Sequence, residues 1–372
     1  MQTRQYPLLS ATPGTHTYLT GLHFGPADAS RKIYIQAGLH ADEIPGMLVA
    51  AVLQERFKAL EAAGQLRAAV TLVPLANPVG LGQNVLGSSV GRFDLGSGQN
   101  SNRGFPMLHD RIAAAIEGKL GDDGARNVGI IRGAMADALD AIEPANPMAS
   151  LHKTLMRLAY DADIVLDLHC SRESPMHIYT GEAIWDEVEP LARYLGAKAS
   201  LLALDAGGQS FDEAFSYTWY CLQQQFGERF PIPHGSLATT IEHRGQRDVS
   251  WELATQDAGG ILDYLTHIGA IAGVAPAPPP LPYPATPLSG SEYLYAPAPG
   301  VIVYCVAPGD LVEPGQTLLE IVDPLTAART PVTTQTRGVF FMGRDVRFVR
   351  HGDPLARIAG TVPIRDGRLL SA

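Results

Sequence analysis

RKIYIQAGLHADEIPG, residues 31–46, starts as a strand and finishes as the first turn of a helix. The run Lys32–Ala37 reads as a strand, and a helical pattern follows at Gly46–Ala63. Between them stand His40 and Glu43, three residues apart in the strand-to-helix turn. Gly38 and Gly46 allow the backbone to turn tightly there. The same arrangement recurs twice: ADIVLDLH places His169 just past the run Ile164–Leu168, and SLATTIE ends its run with Glu242.

Two imidazoles and a carboxylate make a three-ligand set for a catalytic zinc that leaves a fourth position for water. A second carboxylate nearby can act as base. One histidine at a strand end is more commonly a structural hydrogen-bonding residue, and His-x-x-Glu alone is a weak motif. The expectation rests on the combination: one zinc per chain held by His40, Glu43 and His169, with Glu242 as the base.

Further candidate strands are Ala69–Leu75, Ser200–Leu204 and Leu237–Ile241. They alternate with helical patterns at Val128–Ile142, Met148–Tyr160, Trp185–Leu195, Glu213–Phe226 and Gly259–Ile271. Glycines 64, 196 and 227 stand where helices should stop. Such alternation predicts an α/β fold with a mainly parallel sheet covered by helices on both faces. Ligands then gather at the carboxyl ends of the strands, where His40, His169 and Glu242 all fall. Residues 106–147 fix less and are compatible with a lid, an oligomer contact or plain surface, so a homo-oligomer stays an open alternative.

Seven prolines in APAPPPLPYPATPLS, residues 275–289, forbid a helix and interrupt a ladder. The expected organisation is a catalytic unit at 1–273, a linker at 274–289 and a β-rich unit at 290–372. The last unit holds a weak repeat: APAPGVIVYCVAPGDLVEPGQTLLEI (296–321) is echoed by TQTRGVFFMGRDVRFVRHGDPLARI (334–358). Two such copies resemble the halves of a lipoyl or biotinyl carrier domain, a β-sandwich. A carrier needs a lysine to hold its prosthetic group, and no lysine follows Lys198. The unit is expected to be unmodified and to cap the active site or serve assembly.

The 372 residues carry a net charge of −10, which argues against nucleic acid or an anionic membrane surface as partner. No apolar run is long enough to span a bilayer, and no signal peptide is evident at the start. The three widely spaced cysteines suit reduced thiols, so the expected compartment is the cytoplasm. Cys170, beside His169, reads as a small buried residue rather than a nucleophile.

Taken in order, GLHADEIPG, VPLANPVG, GRFDLGSGQNSNRGFP, DLH and TTIEHRG resemble the succinylglutamate desuccinylase and aspartoacylase family, within the zinc carboxypeptidase fold group. The resemblance spans about residues 30–372. It implies a zinc-dependent amidohydrolase acting on a small or peptide-like substrate that bears a carboxylate. It also implies that Arg92 stabilises the developing oxyanion and that Asn102 and Arg103 hold the substrate carboxylate. Two departures stand out. Ala41 replaces the usual glycine after the first histidine, and Asn100-Ser101 replaces Asp-Leu, whose aspartate orients a zinc-bound imidazole. An amide oxygen can still accept that N–H without supplying its charge. The alternatives are a carboxypeptidase or isopeptidase, and a binding protein that keeps the fold without catalysis.

Overall fold

A computed structural model describes residues 1–370. In chain order the strands of the first part are β1 (Gln2–Pro7), β2 (Tyr18–Phe24), β3 (Lys32–Ala37), β4 (Ala69–Val73), the small hairpin β5 (Asn84–Val85) and β6 (Ser88–Ser89), then β7 (Ile164–Ser171), β8 (His177–Gly181), β9 (Ala199–Ala203), β10 (Leu237–Gly245) and β11 (Thr286–Pro287). The helices are α1 (Pro45–Ala62), α2 (Pro78–Leu81), α3 (His109–Ile116), α4 (Gly124–Asp140), α5 (Pro147–Ala159), α6 (Trp185–Leu195), α7 (Phe211–Phe226) and α8 (Trp251–His267). No helix among the described residues is long and apolar enough to cross a membrane.

The main sheet runs β1-β2-β4-β3-β7-β10-β8-β9-β11. Its centre, β4-β3-β7-β10, is parallel, and β8-β9-β11 form a second parallel group that runs antiparallel to β10. Side chains alternate across it as the strand period requires. Ile33, Ile35, Leu166 and Leu168 face a core built with α1, α6 and α8. Tyr34 and Val165 face the opposite core, built with α3, α4, α5 and α7. The result is three layers, with each fully buried Leu or Ile worth about 1.5–3 kcal/mol.

Helices start ahead of the sequence pattern, by one residue in α5, four in α4 and eight in α8, because polar caps precede the apolar periodicity. Asp123 accepts the N–H groups of Ala125 and Arg126 ahead of α4, Asn146 caps α5, and Ser250 caps α8. Strands β1, β2 and β8 had no clear counterpart in the pattern. The proline-rich stretch is extended, as its composition requires, but it is pinned: Arg193 donates to the carbonyls of Pro278 and Pro279, Tyr194 to that of Pro276, and β11 adds to the sheet edge beside β9.

Beyond it lie β12 (Ser291–Tyr295), β13 (Gly300–Tyr304), β14 (Leu311–Val312), β15 (Thr317–Val322), β16 (Arg329–Thr333), β17 (Gly338–Gly343), β18 (Phe348–Val349) and β19 (Pro354–Gly360). They form two four-stranded sheets, β12-β19-β17-β14 and β16-β15-β13-β18, around a shared core that includes Ile302, Leu319, Phe340 and Ile358. The repeat is visible in the pairing. β13 pairs with β15 in the first copy and β17 with β19 in the second, while β14 and β18 each cross to the other copy's sheet.

Candidate metal centre and cavity

Strand register brings the predicted residues together. Ala37 pairs with Leu168 between β3 and β7, and His169 pairs with Glu242 between β7 and β10. His40, His169 and Glu242 therefore share the carboxyl edge of three adjacent parallel strands. Gly38 has a φ of 72°, which sends the chain from β3 into the turn that carries His40. A Cβ on Gly46 would strike the Leu168 carbonyl oxygen at 2.8 Å, so this glycine lets the start of α1 press against β7 beside His169.

His40, Glu43 and His169 are buried, and one ligand atom from each lies within 4.8 Å of the others. Glu43 sits between the rings: Oε1 is 3.0 Å from His40 Nδ1 and Oε2 is 2.8 Å from His169 Nδ1. The far side of each ring is tied down. His40 Nε2 lies 2.8 Å from Asn100 Oδ1, and His169 Nε2 lies 2.8 Å from Asp167 Oδ2. Asn100 Oδ1 also accepts the Asn102 N–H at 3.0 Å, which fixes it as the oxygen.

Both Nε2 atoms must then be N–H donors. A neutral ring so held aims its Nδ1 lone pair at the Glu43 carboxylate, which is repulsive unless a cation or a proton lies between. The charges agree. Burial acts to raise the Glu43 carboxyl, but the charges and hydrogen bonds of His40 and His169 hold it well below the usual range. Burial acts to lower His169, yet Asp167 and Glu43 lift it well above an ordinary histidine, so it takes up a proton where a metal would sit. Burial and the Arg92 charge press His40 down to about 4, which favours the neutral form a ligand needs. The donor set fits a metal ion.

Asp167 was absent from the sequence reading, although a signal for it existed. It lies two residues before His169 in an otherwise apolar strand, hence on the same face. It is fully buried and held by Gln36 Nε2 at 3.0 Å, and Tyr34 OH in turn donates to Gln36 at 2.8 Å. Asn100 does what the sequence allowed it to do. Ser101, the other departure, donates to the Leu39 carbonyl at 2.8 Å and so ties its loop to the residue before His40. His152 stands outside the candidate ligand group, and burial presses its imidazole down to about 4. It contacts the Ser101 carbonyl at 2.8 Å and stacks on Phe105, supporting the loop from below.

Glu242 is partly open to the cavity, with its Oε2 3.2 Å from Ser171 Oγ. Exclusion of bulk water and the Glu43 charge push its carboxyl up to about 7, the range of a general base. Arg92 donates to Glu43 Oε1 at 2.6 Å, so part of its fork is spent on that carboxylate. Asn102 Oδ1 accepts the Phe211 N–H at 2.9 Å, which fixes the start of α7, while its nitrogen lies 3.4 Å from His169 Nε2. Arg103 is half-buried and donates to the Asn102 carbonyl at 2.6 Å. The Cys170 thiol is raised far above its ordinary value by burial, and its N–H serves Glu43 at 3.0 Å. His243 and Arg244 turn away from the cavity onto Asp257.

All seven predicted residues line one cavity of about 430 Å³. Residues of the C-terminal sheets, among them Tyr293, Met342 and Arg357, line it too. Glu173, in the loop after β7, pairs its backbone with Gly343 and its carboxylate with Arg347 at 2.7–2.8 Å. The C-terminal sheets are thus part of the wall.

Residues 29–122 match the model of the succinylglutamate desuccinylase/aspartoacylase catalytic domain, a segment that holds His40, Glu43, Arg92, Asn102 and Arg103. The chain resembles that family. A succinylglutamate desuccinylase/aspartoacylase family protein from Shewanella amazonensis SB2B is similar over 96% of this chain and 98% of its own, with a TM-score of 0.85 and 25% identity. One from Shewanella frigidimarina NCIMB 400 gives 96%, 97%, 0.84 and 25%. A third, from Rhodobacter sphaeroides, shares the fold at 16% identity and a TM-score of 0.65 over 96% of this chain and 94% of its own. No curated protein matches the sequence.

Proposed function

We propose that the chain is a zinc-dependent amidohydrolase that removes an acyl group from a small, carboxylate-bearing N-acyl amino acid. The observation that carries this reading is the convergence of His40, Glu43 and His169 with Glu242 at one strand edge that lines a single cavity. One zinc would be held by the Nδ1 atoms of His40 and His169 and by the Glu43 carboxylate. Bound there, zinc supplies Lewis acidity, polarising an amide carbonyl and lowering the pKa of a water.

The chain's own groups account for the rest. Glu242 accepts the proton of the attacking water, with Ser171 Oγ orienting its carboxylate, and returns it to the leaving nitrogen. Arg92 steadies Glu43 and offers its other N–H groups to the developing oxyanion. Asn102 and Arg103 hold the substrate carboxylate, since a guanidinium matches a carboxylate by paired hydrogen bonds. Asn100 and Asp167 fix the tautomer and direction of the two imidazoles.

Residues 290–372 are proposed as an unmodified carrier-like unit that caps the site, following the catalytic unit at 1–273 and the segment 274–289. The C-terminal sheets in the cavity wall favour a small substrate over a peptide or polyamide end, which needs an open groove. The cytoplasm remains the proposed compartment. Zinc-loaded protein tested on N-acetyl, N-succinyl and β-aspartyl amino acids, read as free amine, checks the reading. Release from an N-acyl amino acid is expected, and activity confined to peptide ends, or none, would overturn it.

A further inference from the structure

The arginines that line the cavity differ in what they are bound to. Arg92 is spent on Glu43, Arg344 pairs with Asp353 at 3.2 Å, and Arg172 donates to Gln246 at 3.0 Å. Arg357 has no hydrogen bond and no ion pair to any described residue. Its guanidinium is instead stacked 4.2 Å above the ring of Tyr293. The stacking follows from register: Arg357 is opposite Tyr293 in the β12–β19 pair and opposite Met342 in the β17–β19 pair. All three residues line the cavity, so one row across three strands forms a wall with a cation at its centre.

The row is continuous with the reacting end. Thr240 and Glu242 lie two apart in β10 and both line the cavity, and Thr240 is opposite Tyr179 in β8. Tyr179 and Met342 pack on the same apolar cluster. From the base outward the wall therefore reads Glu242, Tyr179, Met342, Arg357. The Tyr179 hydroxyl, like Arg357, makes no hydrogen bond to a described residue. Two donors without partners thus face a space whose other end holds Arg103 and the candidate metal ligands. A half-buried guanidinium without a counter-ion has given up hydration for little return, and a carboxylate is the group whose geometry it matches.

We infer that Arg357, supplied by the C-terminal sheets, is a specificity-determining residue that binds a second carboxylate of the substrate, the first being held at Arg103. The inference rests on the amidohydrolase reading for the identity of the substrate, and binding can be measured apart from turnover. The second carboxylate can belong to the amino-acid side chain or to the acyl chain, and paired ligands separate the two. N-acetylglutamate is compared with N-acetylglutamine, and N-succinylalanine with its neutral succinamide analogue.

Affinities are measured by calorimetry on zinc-loaded full-length Glu242→Gln protein, where turnover is suppressed. The charged member of at least one pair is expected to bind about tenfold or more tighter, the scale of a charge-assisted pair. Adding Arg357→Gln should bring that ratio close to one, and Arg357→Lys should restore part of it. Arg365→Gln removes the other guanidinium that stacks on Tyr293, at 3.8 Å, and should leave the ratio unchanged. Circular dichroism checks the fold of each variant. A ratio near one for both pairs, or a preference that survives Arg357→Gln, overturns the inference. Failure of the wild-type protein to release amine from any of these ligands counts against the amidohydrolase reading instead.

Discussion

The site has two halves built by different means. His169, Asp167 and Glu242 stand on β7 and β10, where register and pleat place them and flanking strands bury them. His40, Glu43, Arg92, Asn100, Asn102 and Arg103 stand in turns after β3 and in the loop around residues 91–104, where side chains place one another. Asn100 and Ser101 tie that loop to His40 and Leu39, and Asn77, ahead of α2, donates to the same Leu39 carbonyl. Both departures from the family pattern, Ala41 and Asn100-Ser101, fall in the loop half. A side-chain contact can be remade by another polar group, whereas a residue on a buried strand has its direction set by the ladder.

The strand half should therefore be the less forgiving. The largest effect is expected for His169→Ala, which removes a proposed zinc ligand and leaves Glu43 and Asp167 without a shared partner. Zinc per chain, read by atomic absorption, should fall with activity to background, and stoichiometric zinc would break the assignment. Next is Glu242→Gln, which keeps shape but cannot take the proton. Turnover should drop at least about a hundredfold while zinc stays bound.

The pH profile sharpens the same point. Without a cation the Glu242 carboxyl sits at about 7, and a bound dication pulls it lower, so the wild-type rate should fall on the acid side below pH 7 as the base becomes protonated. That limb should vanish in the Glu242→Gln protein.

Smaller effects separate the two imidazoles. Asp167→Asn replaces a charged acceptor with a neutral one behind His169, and zinc affinity should fall by about 10- to 100-fold. The converse, Asn100→Asp, gives His40 the charge that His169 already has, and a competition assay should show affinity rising by about tenfold. A loss there would mean that the amide N–H groups of Asn100 matter more than its oxygen.

The contrast also explains what the sequence revealed. Strands β3, β7 and β10 were legible because burial on both faces makes them continuous apolar runs, and a histidine or glutamate at the end of such a run is conspicuous. Asp167 was overlooked because within the run it looked like an interruption, when period two places it behind His169. The antiparallel strands β1 and β2 carry polar and exposed positions, so their periodicity is weak. The role of Arg92 beside Glu43 and the stacking of Arg357 on Tyr293 are tertiary contacts that no local pattern encodes. The proline-rich segment was legible as extended chain, but its anchoring depends on Arg193 and Tyr194, far away in sequence.

The two halves meet at a single point, and locating the ion there is the most direct test. Anomalous diffraction at the zinc edge from crystals of zinc-loaded protein should show one zinc per chain, about 2.0–2.2 Å from His40 Nδ1, His169 Nδ1 and a Glu43 oxygen. Asn100 and Asp167 should keep their contacts to the two Nε2 atoms. Zinc bound through Nε2, zinc elsewhere in the chain, or no anomalous peak between β3 and β7 would contradict the account.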